Sequence, residues 1–159
     1  MANPDHPSGG ISTRDMREDS DKYYRTMKWV PDLVSQGPPL VAGNHIIGSV
    51  PISCTGTVEQ VRFKIGSAIA TNWAAGGVSL DVHRAAAGTA LGAGATITTA
   101  AIEFALDRNN TPNTWVNATL TAAGTRVAAG DLLYVVCVNN AVPLTGTGGE
   151  AEVIIRPDF

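Results

Sequence analysis

The chain has 159 residues, enough for one domain with a hydrophobic core of its own. Its apolar fraction of 44% is ordinary for a globular protein, and no stretch approaches the roughly 20 apolar residues of a membrane-spanning helix. The net charge of −3 argues against direct nucleic-acid binding, which usually leaves a basic stripe.

The charges are unevenly placed. Residues 1–28 carry 10 of the 25 charged residues, five acids against five bases. The other 131 residues carry 15 charges, and 50 of them are Ala, Gly or Thr. This predicts a charged N-terminal arm attached to a bland, turn-rich β body. Because the arm's charges cancel, it does not read as a tail that seeks polyanions.

Residues 1–11 contain two prolines and two glycines and read as a flexible start. They hold no apolar run after a basic beginning, so no secretory signal is expected and the protein is made in a cytosol. The sequons at Asn109 and Asn117 are then chance. Ser12-Thr13-Arg14-Asp15 resembles a helix cap. Met16, Ser20, Tyr23 and Met27 follow at helical spacing, and Glu18–Lys22 and Asp21–Arg25 are acid-first i,i+4 pairs. A short helix over about 13–28 is the expectation. Such a helix is marginal alone in water and needs a surface to lie on. Residues 31–43, PDLVSQGPPLVAG, read as a Pro/Gly linker. The expected organisation is an arm with linker over 1–43 and a β-sandwich over 44–159.

From about residue 44 the apolar pattern has period two. Runs at about 46–54 and 95–100 are short strands. Val61, Phe63 and Ile65 alternate with Arg62 and Lys64; Val78, Leu80 and Val82 alternate with Ser79, Asp81 and His83. Ile102, Phe104 and Leu106 form a third row, Val116, Ala118 and Leu120 a fourth, and Val153 with Ile155 a fifth. Each run should turn one row to a core and the other outward. Residues 131–138, DLLYVVCV, are apolar on both faces, as in a central covered strand or one at a subunit contact. Small-residue turns at 74–77, 86–89, 91–94 and 128–131 separate the strands. The stretches AAGTALGAGATITTAAI and TAAGTRVAAGDLLYVV echo each other and read as successive hairpins. The fold class is all-β: an antiparallel, jelly-roll-like β-sandwich of about eight strands, preceded by an extended arm that can hold a short helix.

Motifs for chemistry are missing. There is no P-loop and no Gly-x-Ser-x-Gly elbow. Cys54 and Cys137 form no CxxC, and His6, His45 and His83 have no ligand spacing. The two cysteines read as small buried hydrophobes, with a disulfide left open. Asp81 and His83 lie two apart on one strand face and read as a solvated pair. The loop Asp107–Asn113 is rich in oxygen, yet one carboxylate is little charge for calcium. Glu103, Glu150 and Glu152 qualify as paired carboxylates by residue type alone. No catalytic, cofactor or metal residue is assigned, and no cofactor is expected.

Aromatic residues are few, and Tyr23, Tyr24 and Trp29 fall within seven residues. Either they bury against their own sandwich or they anchor a partner. Tyr, Trp and Arg are enriched at interface hot spots, so Tyr23, Tyr24, Arg25, Met27 and Trp29 are the candidate partner-binding residues. Trp73 and Trp115 sit near loops, where they can cap the core or stack on a sugar or partner.

The stretch Thr121–Val135, with its threonine turn, Ala-Ala-Gly-Asp and hydrophobic strand, resembles small bacteriophage virion proteins. Val78–Val82 and Ala151–Ile155 share that cadence, and the resemblance covers about 44–157. It implies a capsid decoration (cement) protein. Such proteins sit as homodimers or homotrimers on the outer surface of the virion and clamp the major capsid protein with terminal arms. The alternatives are a carbohydrate- or receptor-binding module of a tail or fibre, and a minor head or joining protein. The long charged N-terminus departs from the family pattern.

Overall fold

The computed structural model describes residues 23–29, 43–70, 72–122, 125–139 and 148–158. Among them are ten strands and one helical turn. The elements are β1 (Tyr23–Trp29), β2 (Gly43–Pro51), β3 (Gly56–Ile65), α1 (Trp73–Gly76), β4 (Val78–Ala85), β5 (Ala95–Thr96), β6 (Ile102–Phe104), β7 (Val116–Ala118), β8 (Arg126–Val127), β9 (Leu132–Asn139) and β10 (Gly149–Pro157).

The strands form two antiparallel sheets. Sheet A runs β1-β10-β3-β7, with β8 also on β3. Sheet B runs β2-β9-β4-β5, with β6 also on β4. The chain alternates between the sheets for its first four strands, and its last two strands insert between those early ones. That wrapping is jelly-roll-like, as the alternating pattern led one to expect. The count exceeds eight because β1 lies where a helix was expected and the two-residue β8 was not among the expected runs.

The core lies between the sheets, and the period-two rows fill it. Val61, Phe63 and Ile65 come from β3, Val78, Leu80 and Val82 from β4, and Leu133, Val135 and Cys137 from β9. Ala151, Val153 and Ile155 of β10 complete it. Fully burying a side chain of this kind contributes about 1.5–3 kcal/mol, so this row pattern is the main stabilising term of the fold.

Cys54 and Cys137 are both free thiols. Burial pushes the Cys137 thiol up to about 12, so it stays protonated and unreactive at neutral pH. An alkylating reagent at pH 8 should therefore leave Cys137 untouched in the folded protein and modify it after denaturation, as read by peptide mass spectrometry. Equal labelling of Cys137 in both states would contradict this burial.

Several expectations need correction. Residues 23–28 are not helical. They belong to β1, paired with β10 from Tyr23↔Ile155 to Trp29↔Gly149 without a register shift. Local i,i+4 pairing contributes only tenths of a kcal/mol, and a seven-residue sheet ladder outweighs it. Residues 13–22 of the expected helix and 31–42 of the linker lie outside the described residues. Leu106 does not continue its row. The chain turns after Phe104, burying Ala105, so Leu106 is 56% exposed. The two echoing stretches are not equivalent hairpins, because β8 pairs with β3 in sheet A while β9 lies in sheet B. The turn at 74–77 contains one turn of helix instead.

The two-faced strand β9 lies between β2 and β4, with Leu133, Val135 and Cys137 on the core side. Tyr134 points the other way and is still fully buried. The segment after β4 folds over it, and the Gly94 amide donates to the Tyr134 hydroxyl at 2.8 Å. A Cβ on Gly94 would collide with the Arg84 carbonyl, so only glycine permits that approach. The same segment corrects the reading of Asp81 and His83 as solvated. The Asp81 carboxylate accepts the hydroxyl of buried Thr98. His83 places Nε2 3.1 Å from Asp81 and Nδ1 3.1 Å from the Gly94 carbonyl. Its ring also meets that of Tyr134 at 5.5 Å between centroids. These polar groups fasten a cover onto sheet B.

Candidate interaction surface

The outer face of sheet A is built by the residues that alternate with the core row. With Val61, Phe63 and Ile65 buried, β3 turns Gln60, Arg62 and Lys64 outward. On β10 the matching positions are Ile154, Glu152 and Glu150, and the register sets Glu152 beside Arg62 and Glu150 beside Lys64. The Arg62 Nε donates to Glu152 at 2.6 Å, and the Lys64 ammonium lies 2.7 Å from Glu150. Trp115, just ahead of β7, lies across both cations. Its ring centroid is 4.5 Å from the Arg62 guanidinium and 4.7 Å from the Lys64 ammonium. Gln60 donates to Asn117 on the same face at 2.8 Å.

Each such ion pair contributes about 0–1 kcal/mol when solvent-accessible, and each cation–π contact about 0.5–1 kcal/mol. Their larger effect is to hold long side chains in one pattern. The result is a face of alternating charge with an aromatic ring held across its two cations.

The strand β1 extends this face at the sheet edge. Tyr24, Thr26 and Lys28 stand in register with Ile154, Glu152 and Glu150. Tyr23, Arg25, Met27 and Trp29 stand in register with Ile155, Val153, Ala151 and Gly149, which alternate with that outer row. The five candidate partner-binding residues are thus brought onto one edge strand and divided between two register rows, Tyr24 in one and the other four in the second.

A second feature lies around α1. The Trp73 amide donates to the Asp107 carboxylate at 2.9 Å. Asn110 clamps Ile69 from both sides, accepting from its amide at 2.6 Å and donating to its carbonyl at 2.8 Å. Asn109 donates to the Glu103 carbonyl at 2.9 Å, and Arg108 pairs with Glu103 while lying 5.6 Å from the Trp73 ring centroid. Asn109 and Asn113 have φ of 47° and 58°, a region that asparagine tolerates better than most residues. The oxygens of this loop thus bind the chain's own backbone. Among the described residues, no group of three His, Cys, Asp or Glu could hold a metal ion. Glu103, Glu150 and Glu152 each pair with a cation of their own and do not form an acid pair across a cleft.

The Trp73 amide holds the Asp107 carboxyl below its usual 3.8, with Arg108 adding to the effect. A carboxyl lowered in the folded state contributes stability above its unfolded pKa and loses it as pH falls through the folded value. In an NMR titration the Trp73 amide resonance should therefore move with a midpoint below 3.8. A midpoint above that value would contradict the bond.

Sequence reasoning found the outward polar rows but not what they build. Arg62 and Glu152 are 90 positions apart, and only the strand order brings them together. Trp115 had no signal beyond its place near a loop.

No known family pattern matches the sequence, and no curated protein is similar to it. Among solved structures, the fold is similar to a chain of the capsid of Ralstonia phage GP4. That match covers 100% of this chain and 92% of the other, with a TM-score of 0.50 and 14% sequence identity. At that identity the likeness is one of fold, spanning the whole length of the chain.

Proposed function

We propose that this chain is a structural virion protein, not an enzyme, that decorates and stabilises a bacteriophage capsid. The observation that carries the reading is the fold likeness to a phage capsid chain over the full length of this one. The cadence of Thr121–Val135 supports it independently. So does the character of the molecule: the polar side chains on the outer side of sheet A are spent on one another, and its oxygen-rich loop is spent on backbone.

In this reading the protein sits on the outer surface of the head and spans neighbouring major capsid subunits. The N-terminal arm is the clamp, with Tyr23, Tyr24, Arg25, Met27 and Trp29 as its contact residues. Their place on β1 gives the clamp a fixed root at the edge of sheet A. The patterned face of Arg62, Lys64 and Trp115 lies alongside in the same sheet. Many identical weak contacts on a symmetric lattice add to a firm attachment. Because the assembled lattice is bound and free subunits are not, binding stabilises the shell by mass action.

The test is retention on purified undecorated heads by co-sedimentation. The intact protein should pellet with the heads. A form lacking residues 1–29 should keep a β far-ultraviolet spectrum and remain in the supernatant. Equal retention of the folded truncated form would end the clamp reading.

A further inference from the structure

The chain's three tryptophans gather at one end of the sandwich. Trp29 closes β1 in register with Gly149, and Gly149 stands in register with Ile65, whose carbonyl accepts from the Asn113 amide at 2.8 Å. Trp115 follows Asn113 by two residues, and Trp73 opens α1, between the end of β3 and the start of β4. From the same end projects the turn Ala105–Arg108. The amide of each of these two residues donates to the carbonyl of the other at 2.9 Å, so Leu106 and Asp107 form the tip. The turn is firmly held. Asp107 accepts from the Trp73 amide, Arg108 pairs with Glu103 and lies over the Trp73 ring, and Asn109 and Asn110 bind backbone on either side. A Cβ on Gly77 would collide with the Trp73 ring, so this glycine lets the indole lie against the backbone. These bonds leave Leu106 outside the core. It is the most exposed of the large hydrophobic residues among those described.

We propose that the turn Ala105–Arg108 is a docking knob that seats Leu106, with Arg108 and Trp73 at its base, in an apolar socket with a basic rim on a protein partner. The inference rests on the capsid reading, in which that partner is the major capsid protein, and it adds a contact at the end of the sandwich where β1 closes at Trp29. Charge and chemistry choose the partner. Residues 102–109 carry two carboxylates, Glu103 and Asp107, against one guanidinium, Arg108. The phosphates of a nucleic acid or an anionic membrane therefore meet net negative charge. A glycan is recognised through free polar groups, whereas the Asp107 carboxylate and the Asn109 and Asn110 amides are bound to the chain's own backbone. What the turn offers is an exposed leucine beside two carboxylates, which complements a hydrophobic protein pocket edged with cations. A tip already fixed by its own hydrogen bonds loses little freedom on docking, and tryptophan and arginine at its base are the residue types enriched where binding energy concentrates.

Co-sedimentation with purified undecorated heads over a range of protein concentrations tests it. Leu106→Ala should weaken retention by about tenfold. Leu106→Lys should weaken it further, because it sets a cation against a basic rim. Both variants should melt with the intact protein, since Leu106 lies outside the core. Leu91→Lys, at another exposed leucine, should keep full retention. Hydroxyl-radical footprinting of the intact protein should find Leu106 protected on heads and labelled in free solution. Equal retention of the Leu106 variants, equal labelling of Leu106 in both states, or an equal loss with Leu91→Lys would overturn the inference. Intact protein and Leu106→Lys pelleting alike would overturn this inference alone. Intact protein left in the supernatant would overturn the capsid reading and this inference with it.

Discussion

Asp131→Ala should lower the melting temperature by about 10 °C, the largest effect expected of any single polar substitution in this chain. Asp131 is only 2% exposed. One carboxylate oxygen accepts from the Arg84 Nε at 2.6 Å and the Ala128 amide at 2.8 Å. The other accepts from the Ala87 amide at 3.3 Å. The backbone of the same residue joins the corner, since its carbonyl accepts from Ile52 at 2.8 Å. This carboxylate therefore ties the turn after β8, the turn after β4 and the start of β9 into one knot. Alanine leaves two amides and a guanidinium without their acceptor. Asp131 is buried while Arg84 keeps 30% of its side chain exposed, so the loss falls at the lower end of the range of about 3–5 kcal/mol for breaking a buried charged pair, and in a domain of this size each kcal/mol moves the midpoint by about 2–4 °C. Asp131→Asn separates charge from shape. Its oxygen can keep Arg84 and Ala128, but its amide must then face the Ala87 amide, donor against donor. The loss should be smaller than for alanine and still measurable by calorimetry. A melt unchanged by Asp131→Ala would show that the corner does not depend on the carboxylate.

Phe63→Ala should cost about 3–5 kcal/mol, the usual range for deleting a buried aromatic ring. Phe63 is fully buried on β3, in register with Ala151 on β10 and Val116 on β7. Small Ala151 on one side explains how a ring fits within the row, and its methyl cannot fill the space that the ring would leave. Urea unfolding should show the loss as a lower midpoint at constant slope. The reciprocal change is informative. Ala151→Leu alone should overpack the core and destabilise it. Combined with Phe63→Ala it should recover part of the loss, as neighbours in one cavity couple. Strictly additive effects would mean that the two residues do not share space.

The core was legible in the sequence because its signal is local. The runs around Phe63, Leu80 and Val153 each state their own inward row within five or six residues, and each row is buried as expected. The covered strand at 131–138 was legible for the same reason, although nothing nearby says that the cover of Tyr134 comes from Gly94, 40 positions away. Two kinds of information were not local. The helical spacing of Tyr23 and Met27 competes with a strand whose partner, β10, lies at the other end of the chain, and a ladder between termini leaves no trace in either segment alone. The ion pairs of Arg62 and Lys64 likewise depend on strand order, which alternation does not encode. Leu106 failed by a different route. The row was real up to Phe104, but Asp107, Asn109 and Asn110 impose a turn that ends it, and their bonds to Trp73, Glu103 and Ile69 decide the geometry there. The aromatic cluster at 23–29 was visible in the sequence, but its place on an edge strand could not be read from composition.

The central claim, that this protein decorates a capsid, is tested most directly by its copy number in the particle. On the proposed reading, quantitative mass spectrometry of the purified virions that carry it should find it on the order of hundreds of copies, in a fixed ratio to the major capsid protein, as a symmetric lattice requires. A handful of copies per particle, or none, would contradict the claim.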